Sequence, residues 1–122
     1  MVWASLLSAQ NQVGNTLIGD AAGERLGHAV AVTPDGNTMA VATSVGLSQG
    51  QVAVYDLVNG TWTQRGQTLS DPSGASALSS YGFDVELSAN GQFLFVSDPQ
   101  INAQPAAPGR VHIYIYFGFL SA

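Results

Sequence analysis

Apolar residues recur at every second position in short runs along this chain, and the runs are separated by clusters of Gly, Asn, Asp and Ser. Alternation of this period marks a strand with one buried face, because successive side chains leave an extended backbone on opposite sides. It predicts strands at about 2–7, 28–33, 38–43, 51–57, 61–64, 82–88, 92–97 and 110–116. The dipeptides Asp35-Gly36, Asn59-Gly60 and Asn90-Gly91 fall between them, and these residue types accept the positive φ of tight turns. No long segment keeps apolar positions at helical spacing. The chain therefore reads as all-β.

The pattern also repeats. Leu26-Gly27-His28-Ala29-Val30-Ala31-Val32 through Asp35-Gly36 matches Tyr81-Gly82-Phe83-Asp84-Val85-Glu86-Leu87 through Asn90-Gly91, with Gly27 and Gly82, and Gly36 and Gly91, each 55 positions apart. Met39-Ala40-Val41-Ala42 matches Leu94-Phe95-Val96-Ser97 at the same offset. Gly50-Gln51-Val52-Ala53-Val54-Tyr55 matches Gly109-Arg110-Val111-His112-Ile113-Tyr114 at an offset of 59, so the second repeat carries four extra residues in the loop before its last match. A period of this size means stacked or radial repeats. Repeat one spans about 13–64 and repeat two about 65–120 of a single unit, 1–122. Four strands per repeat is the count of a propeller blade. The fold expected is two four-stranded antiparallel propeller-type blades, part of a larger propeller or assembly.

Trp62-Thr63-Gln64-Arg65-Gly66, Tyr81-Gly82-Phe83-Asp84-Val85, Phe95-Val96-Ser97-Asp98-Pro99 and Gly109-Arg110-Val111-His112-Ile113-Tyr114, in that order, resemble the FG-GAP-type β-propeller repeats of integrin-like proteins. The resemblance covers about residues 13 to 116, with the name-giving dipeptide appearing as Leu26-Gly27 and Tyr81-Gly82. It implies surface recognition or adhesion in an extracellular setting, often with calcium held by an Asp-rich loop. Neither repeat has alternating acidic residues followed by Gly, whereas calcium takes about six to eight oxygen ligands, so no metal or cofactor is expected.

Composition narrows the partners. Only 9% of the 122 residues are charged, against about 25% in an average soluble domain, and the basic residues are Arg25, Arg65 and Arg110 alone. No basic patch exists for phosphates, which points away from nucleic acid and anionic membrane. The net charge of -5 comes from scattered carboxylates without an acidic run. With no cysteine there is neither disulfide nor thiolate chemistry. The longest apolar stretch, Val111 to Leu120, is half the roughly 20 residues of a membrane helix, so no membrane span is expected. The opening residues lack the positive charge of a signal segment and read as a strand.

Candidate chemistry is sparse. Asp84 and Glu86 stand two apart in a strand, so both carboxylates share one face, where they suit an acid–base pair, a partnership with Arg, or a wet channel. Their counterparts in repeat one are Ala29 and Ala31, so only one blade carries the feature. His28 and His112 occupy repeat positions held elsewhere by Phe83 and Ala53 and read as packing residues. No Gly-x-Ser-x-Gly elbow and no phosphate-loop lysine occur, and no enzyme activity is expected. Trp62 and Tyr55 read as packing between blades, although aromatic residues also suit sugar stacking. The loop Asn102 to Pro108, including Gln104, is the candidate contact loop.

Propellers close with about four to eight blades, and two blades leave faces and edges open to water. The expected function is a structural or adhesive module that self-assembles into a homo-oligomer or filament. The alternative is a glycan- or protein-binding module that uses one loop face of such an oligomer. The apolar ending, with Tyr116, Phe117 and Phe119, suits a surface covered by neighbours. Trp3 precedes Trp62 by the same 59 positions that relate the third strands, so residues 1–8 are expected to complete a blade, across copies or within one. Their deletion is expected to break assembly.

Overall fold

A computed structural model describes residues 9–43, 50–72, 80–101 and 106–118. Seven strands occur there: β1 (Ala29–Val32), β2 (Thr38–Ala42), β3 (Val52–Val58), β4 (Thr61–Leu69), β5 (Val85–Leu87), β6 (Phe93–Asp98) and β7 (Arg110–Ile115). They form two antiparallel meanders, a four-stranded sheet in the order β1-β2-β3-β4 and a three-stranded sheet in the order β5-β6-β7. No α-helix occurs among the described residues. The chain is all-β.

The two repeats fold alike because their turns are chemically alike. In the β1–β2 turn the Asp35 carboxylate accepts hydrogen bonds from the Thr33 hydroxyl at 2.7 Å and the Asn37 amide at 2.9 Å. Asn90 does the same in the β5–β6 turn, with the Ser88 hydroxyl at 2.9 Å and the Gln92 amide at 3.0 Å. Gly36 and Gly91 follow with φ of 75° and 71°, where a side chain is strained. Between β3 and β4, Asn59 and Gly60 both have positive φ and join Val58 to Thr61 directly, the geometry of a two-residue primed turn.

The sheets lie face to face. One face of the first sheet, carrying Ala40, Ala42, Val52 and Val54 with Ala29 and Ala31 at its margin, meets one face of the second, carrying Val85, Leu87, Leu94 and Val96 with Tyr81. Small residues on one side and larger ones on the other let the backbones approach closely. The opposite face of the first sheet is partly covered by the segment leading into β1, where the Trp62 indole donates to Val13 O at 3.0 Å and the Trp62 amide donates to the Asn15 side chain at 2.8 Å.

Two strands differ from expectation. β4 runs to Leu69 rather than ending near 64, because it bulges around Gly66: Val54 pairs with Arg65 and Val52 with Leu69, so four positions of β4 span two of β3. β5 begins only at Val85, because a turn holds the residues before it, with the Phe83 amide donating to Ser80 O at 3.0 Å and Gly82 at a φ of 87°. The second sheet has three strands among the described residues where four are expected, and β7 forms its edge. The expected strand at 2–7 lies outside the described residues.

Candidate functional site

Alternation on β6 and β7 places apolar side chains on both faces of the second sheet. Leu94, Val96 and Tyr114 turn inward, while Phe93, Phe95, Val111, Ile113 and Ile115 turn outward. The register sets the outer residues in rows, Phe93 beside Ile115 and Phe95 beside Ile113, with Glu86 completing the second row. Val111 is 64% exposed and Ile113 62%. Phe83, in the turn before β5, is also exposed but packs on His28 of the first repeat and is not part of these rows. A contiguous apolar face of this kind marks an interaction site more often than a bare surface.

Glu86 stands on this outer face, and Asp84, in the turn before β5, is also exposed. They do not form a working pair: the Asp84 carboxylate accepts from the Val85 amide at 2.9 Å, which fixes it to the start of β5. Among the described residues neither pairs with an arginine. Tyr116 lies at the margin, with its ring 4.1 Å beneath the Arg65 guanidinium and its amide donating to Gln92 O at 2.8 Å. Phe117 is exposed beside it. Trp3, Asn102, Gln104 and Phe119 lie outside the described residues. His28 is exposed and meets Phe83 edge-on at 5.9 Å between ring centres, as a packing residue does.

Arg65 joins the sheets. Its Nε and Nη2 donate to the two oxygens of Asp56 at 2.9 and 2.7 Å, and its Nη1 donates to Gly91 O in the β5–β6 turn of the other sheet at 2.7 Å. Burial works to raise the Asp56 pKa, but hydrogen bonds from Arg65 and Thr38, and the charge of Arg65, outweigh it and hold the carboxyl below its usual range.

A second polar cluster was not legible as a motif. Asp98, fully buried, accepts from the Ser80 amide at 3.1 Å, the Gln100 side chain at 2.6 Å and Arg110 Nη2 at 3.2 Å. The same guanidinium nitrogen donates to Asp71 at 3.4 Å. His112 Nε2 stands 3.9 Å from Asp98 and has no hydrogen-bond partner. One atom each from Asp71, Asp98 and His112 lies within 4.8 Å of the others, the spacing of a metal triad. Arg110 already brings positive charge to both carboxylates, so the cluster reads as a structural knot. Tyr81 shares a hydroxyl hydrogen bond of 2.7 Å with Tyr114, and its pKa is strongly raised, first by burial and then by that bond, so it stays neutral. The only sequence signal for the knot is the opposite charge of Asp98 and Arg110, which the hairpin sets directly across from each other.

No helix among the described residues is long and apolar enough to cross a membrane. Comparison with known proteins finds no matching family model, no matching curated protein and no matching solved structure.

Proposed function

We propose that the chain is a non-enzymatic structural module that associates with copies of itself, its two sheets serving as propeller-type blades of a larger homo-oligomer or filament. The observation that carries this reading is the outer face of β5–β7, where Phe93, Phe95, Val111, Ile113 and Ile115 are all exposed on adjacent strands. Sheets that are apolar on both sides are stable in water when both sides are covered. The internal interface supports the reading too, since two sheets already stack face to face there. Light scattering on the purified chain at micromolar concentration is the test. The expected mass is a multiple of the 12.6 kDa chain, with closed particles or filaments in negative stain. A monodisperse monomer with a cooperative melt would sink the reading.

A glycan-binding role has one observation in its favour. Tyr55 lines a pocket together with Asp20, Glu24, Gln51 and Gln64, an aromatic ring among amides and carboxylates of the kind that holds sugar hydroxyls. A glycan array separates the two roles, because a lectin retains a defined sugar and a building block does not.

A further inference from the structure

We infer that the copies associate head-to-tail, the outer face of β5–β7 of one copy stacking on the outer face of β1–β4 of the next. This rests on the reading that the chain associates with itself, and it names the surface that each copy offers.

An interface between unlike faces is already present inside the molecule. Repeat one contributes Ala31, Ala40, Val52 and Val54, and repeat two contributes Val85, Leu87, Leu94 and Val96. Transferred through the repeat offsets, the repeat-one set becomes Glu86, Phe95, Val111 and Ile113, which is the exposed outer face of the second sheet. The repeat-two set becomes Val30, Val32, Met39 and Val41 on the opposite face of the first sheet, where Val30 and Val32 are exposed, Met39 is half-buried and Val41 is covered. The two repeats therefore meet through unlike faces, and the molecule presents one face of each kind outward. A contact between unlike faces is heterologous: repetition either closes a ring or extends a filament.

Shape supports the same pairing. On the first sheet, Val30, Met39 and Val41 line an apolar depression with Leu17, Leu26 and Trp62, and Val30 and Val32 are more than half exposed at its rim. On the second sheet the counterpart of Ala40 is Phe95 and that of Thr38 is Phe93, so rings project where the internal interface has small groups. The protruding face matches the hollow one. Two protruding faces, brought together, would set Phe93 and Phe95 against their own copies with no hollow to receive them. No arginine lies on the outer rows of the second sheet, so Glu86 stands at the apolar margin on the edge strand β5, where it stays in contact with water.

Two variants test the polarity. Phe95→Glu disables the outer face of the second sheet and leaves the other intact; Val30→Glu does the reverse. Both positions are exposed, and circular dichroism confirms folding, with Ile113→Glu and Val32→Glu as a second pair if either variant fails to fold. Each variant alone is expected to run as a monomer in size-exclusion chromatography with light scattering. An equimolar mixture is expected to give a species of twice the mass, since one copy offers the intact protruding face and the other the intact hollow. If Val30→Glu alone remains dimeric, like faces of the second sheet pair and the head-to-tail arrangement is wrong. The same holds for Phe95→Glu and the first sheet, and for a mixture that stays monomeric while the unmodified chain assembles. An unmodified chain that is itself a monomer removes the underlying reading as well.

Discussion

Gly36 and Gly91 occupy the same place in their repeats and the same left-handed conformation, yet their surroundings differ. A methyl group on Gly36 meets nothing, whereas on Gly91 it comes within 3.3 Å of Thr33 and 3.4 Å of Thr38, across the sheet–sheet junction. Both substitutions to Ala pay the left-handed backbone cost of about 1–2 kcal/mol. Gly91→Ala is expected to cost more than Gly36→Ala, and the difference between their urea midpoints measures how tightly the sheets meet. Asp56 offers a pH test at the same scale. Its folded pKa lies below the usual 3.8, so the carboxylate stabilises the fold fully above about pH 4, and the contribution is lost as pH falls through the folded value. Asp56→Asn is expected to lower stability at neutral pH and to flatten its decline below about pH 4, measured by urea unfolding across a pH series. Arg65 is the physical cause, since its guanidinium binds both carboxylate oxygens and the Gly91 carbonyl together.

On β6, neighbouring residues lead different lives. Leu94 is buried between the sheets and Phe95 stands outside, though both are large and apolar. Leu94→Ala is expected to cost about 2–4 kcal/mol, through lost burial and the cavity left behind. Phe95→Ser is expected to cost clearly less than Leu94→Ala in the isolated unit, because Phe95 is 37% exposed where Leu94 is 5% exposed. Thermal melts of the two variants at low concentration check this, and equal losses would mean that the faces of β6 have been assigned wrongly. The expected order of strands and turns matches the element order closely, because period-two alternation and Asx-Gly pairs act locally. The bulge at Gly66 and the late start of β5 were not legible, since each is set by what the strand pairs with or packs on.

Across the whole molecule, Arg110 brings together Asp71, from the segment after β4, and Asp98, at the end of β6, while Ser80 and Gln100 complete the Asp98 shell. These groups are far apart in sequence, and the cluster exists only once both hairpins and their connection are in place. The Arg110 guanidinium therefore already supplies positive charge to the two carboxylates that a divalent ion would have to bind. Millimolar calcium is expected to leave the melting temperature unchanged, read by differential scanning fluorimetry with and without chelator. A rise of several degrees that chelator reverses would show that calcium displaces the guanidinium.

The sequence by itself determined the all-β class, the strand order, the turn positions and the existence of two equivalent repeats. These follow from backbone preferences that act within a few residues and from a pattern repeated at fixed offsets. Phe93-Leu94-Phe95-Val96 is apolar at every position, so β6 has two apolar faces that alternation does not tell apart. Only the tertiary structure decided which of those faces is covered. Repeat equivalence relates Ala40 to Phe95 and Val41 to Val96, but it does not say that one member of the first pair is buried and the other exposed. That choice depends on which face of one sheet meets which face of the other. The same holds for Arg65, Asp98 and Arg110, whose partners are set by the stacking of the sheets and the register of the hairpin, and so lie beyond the reach of any local pattern.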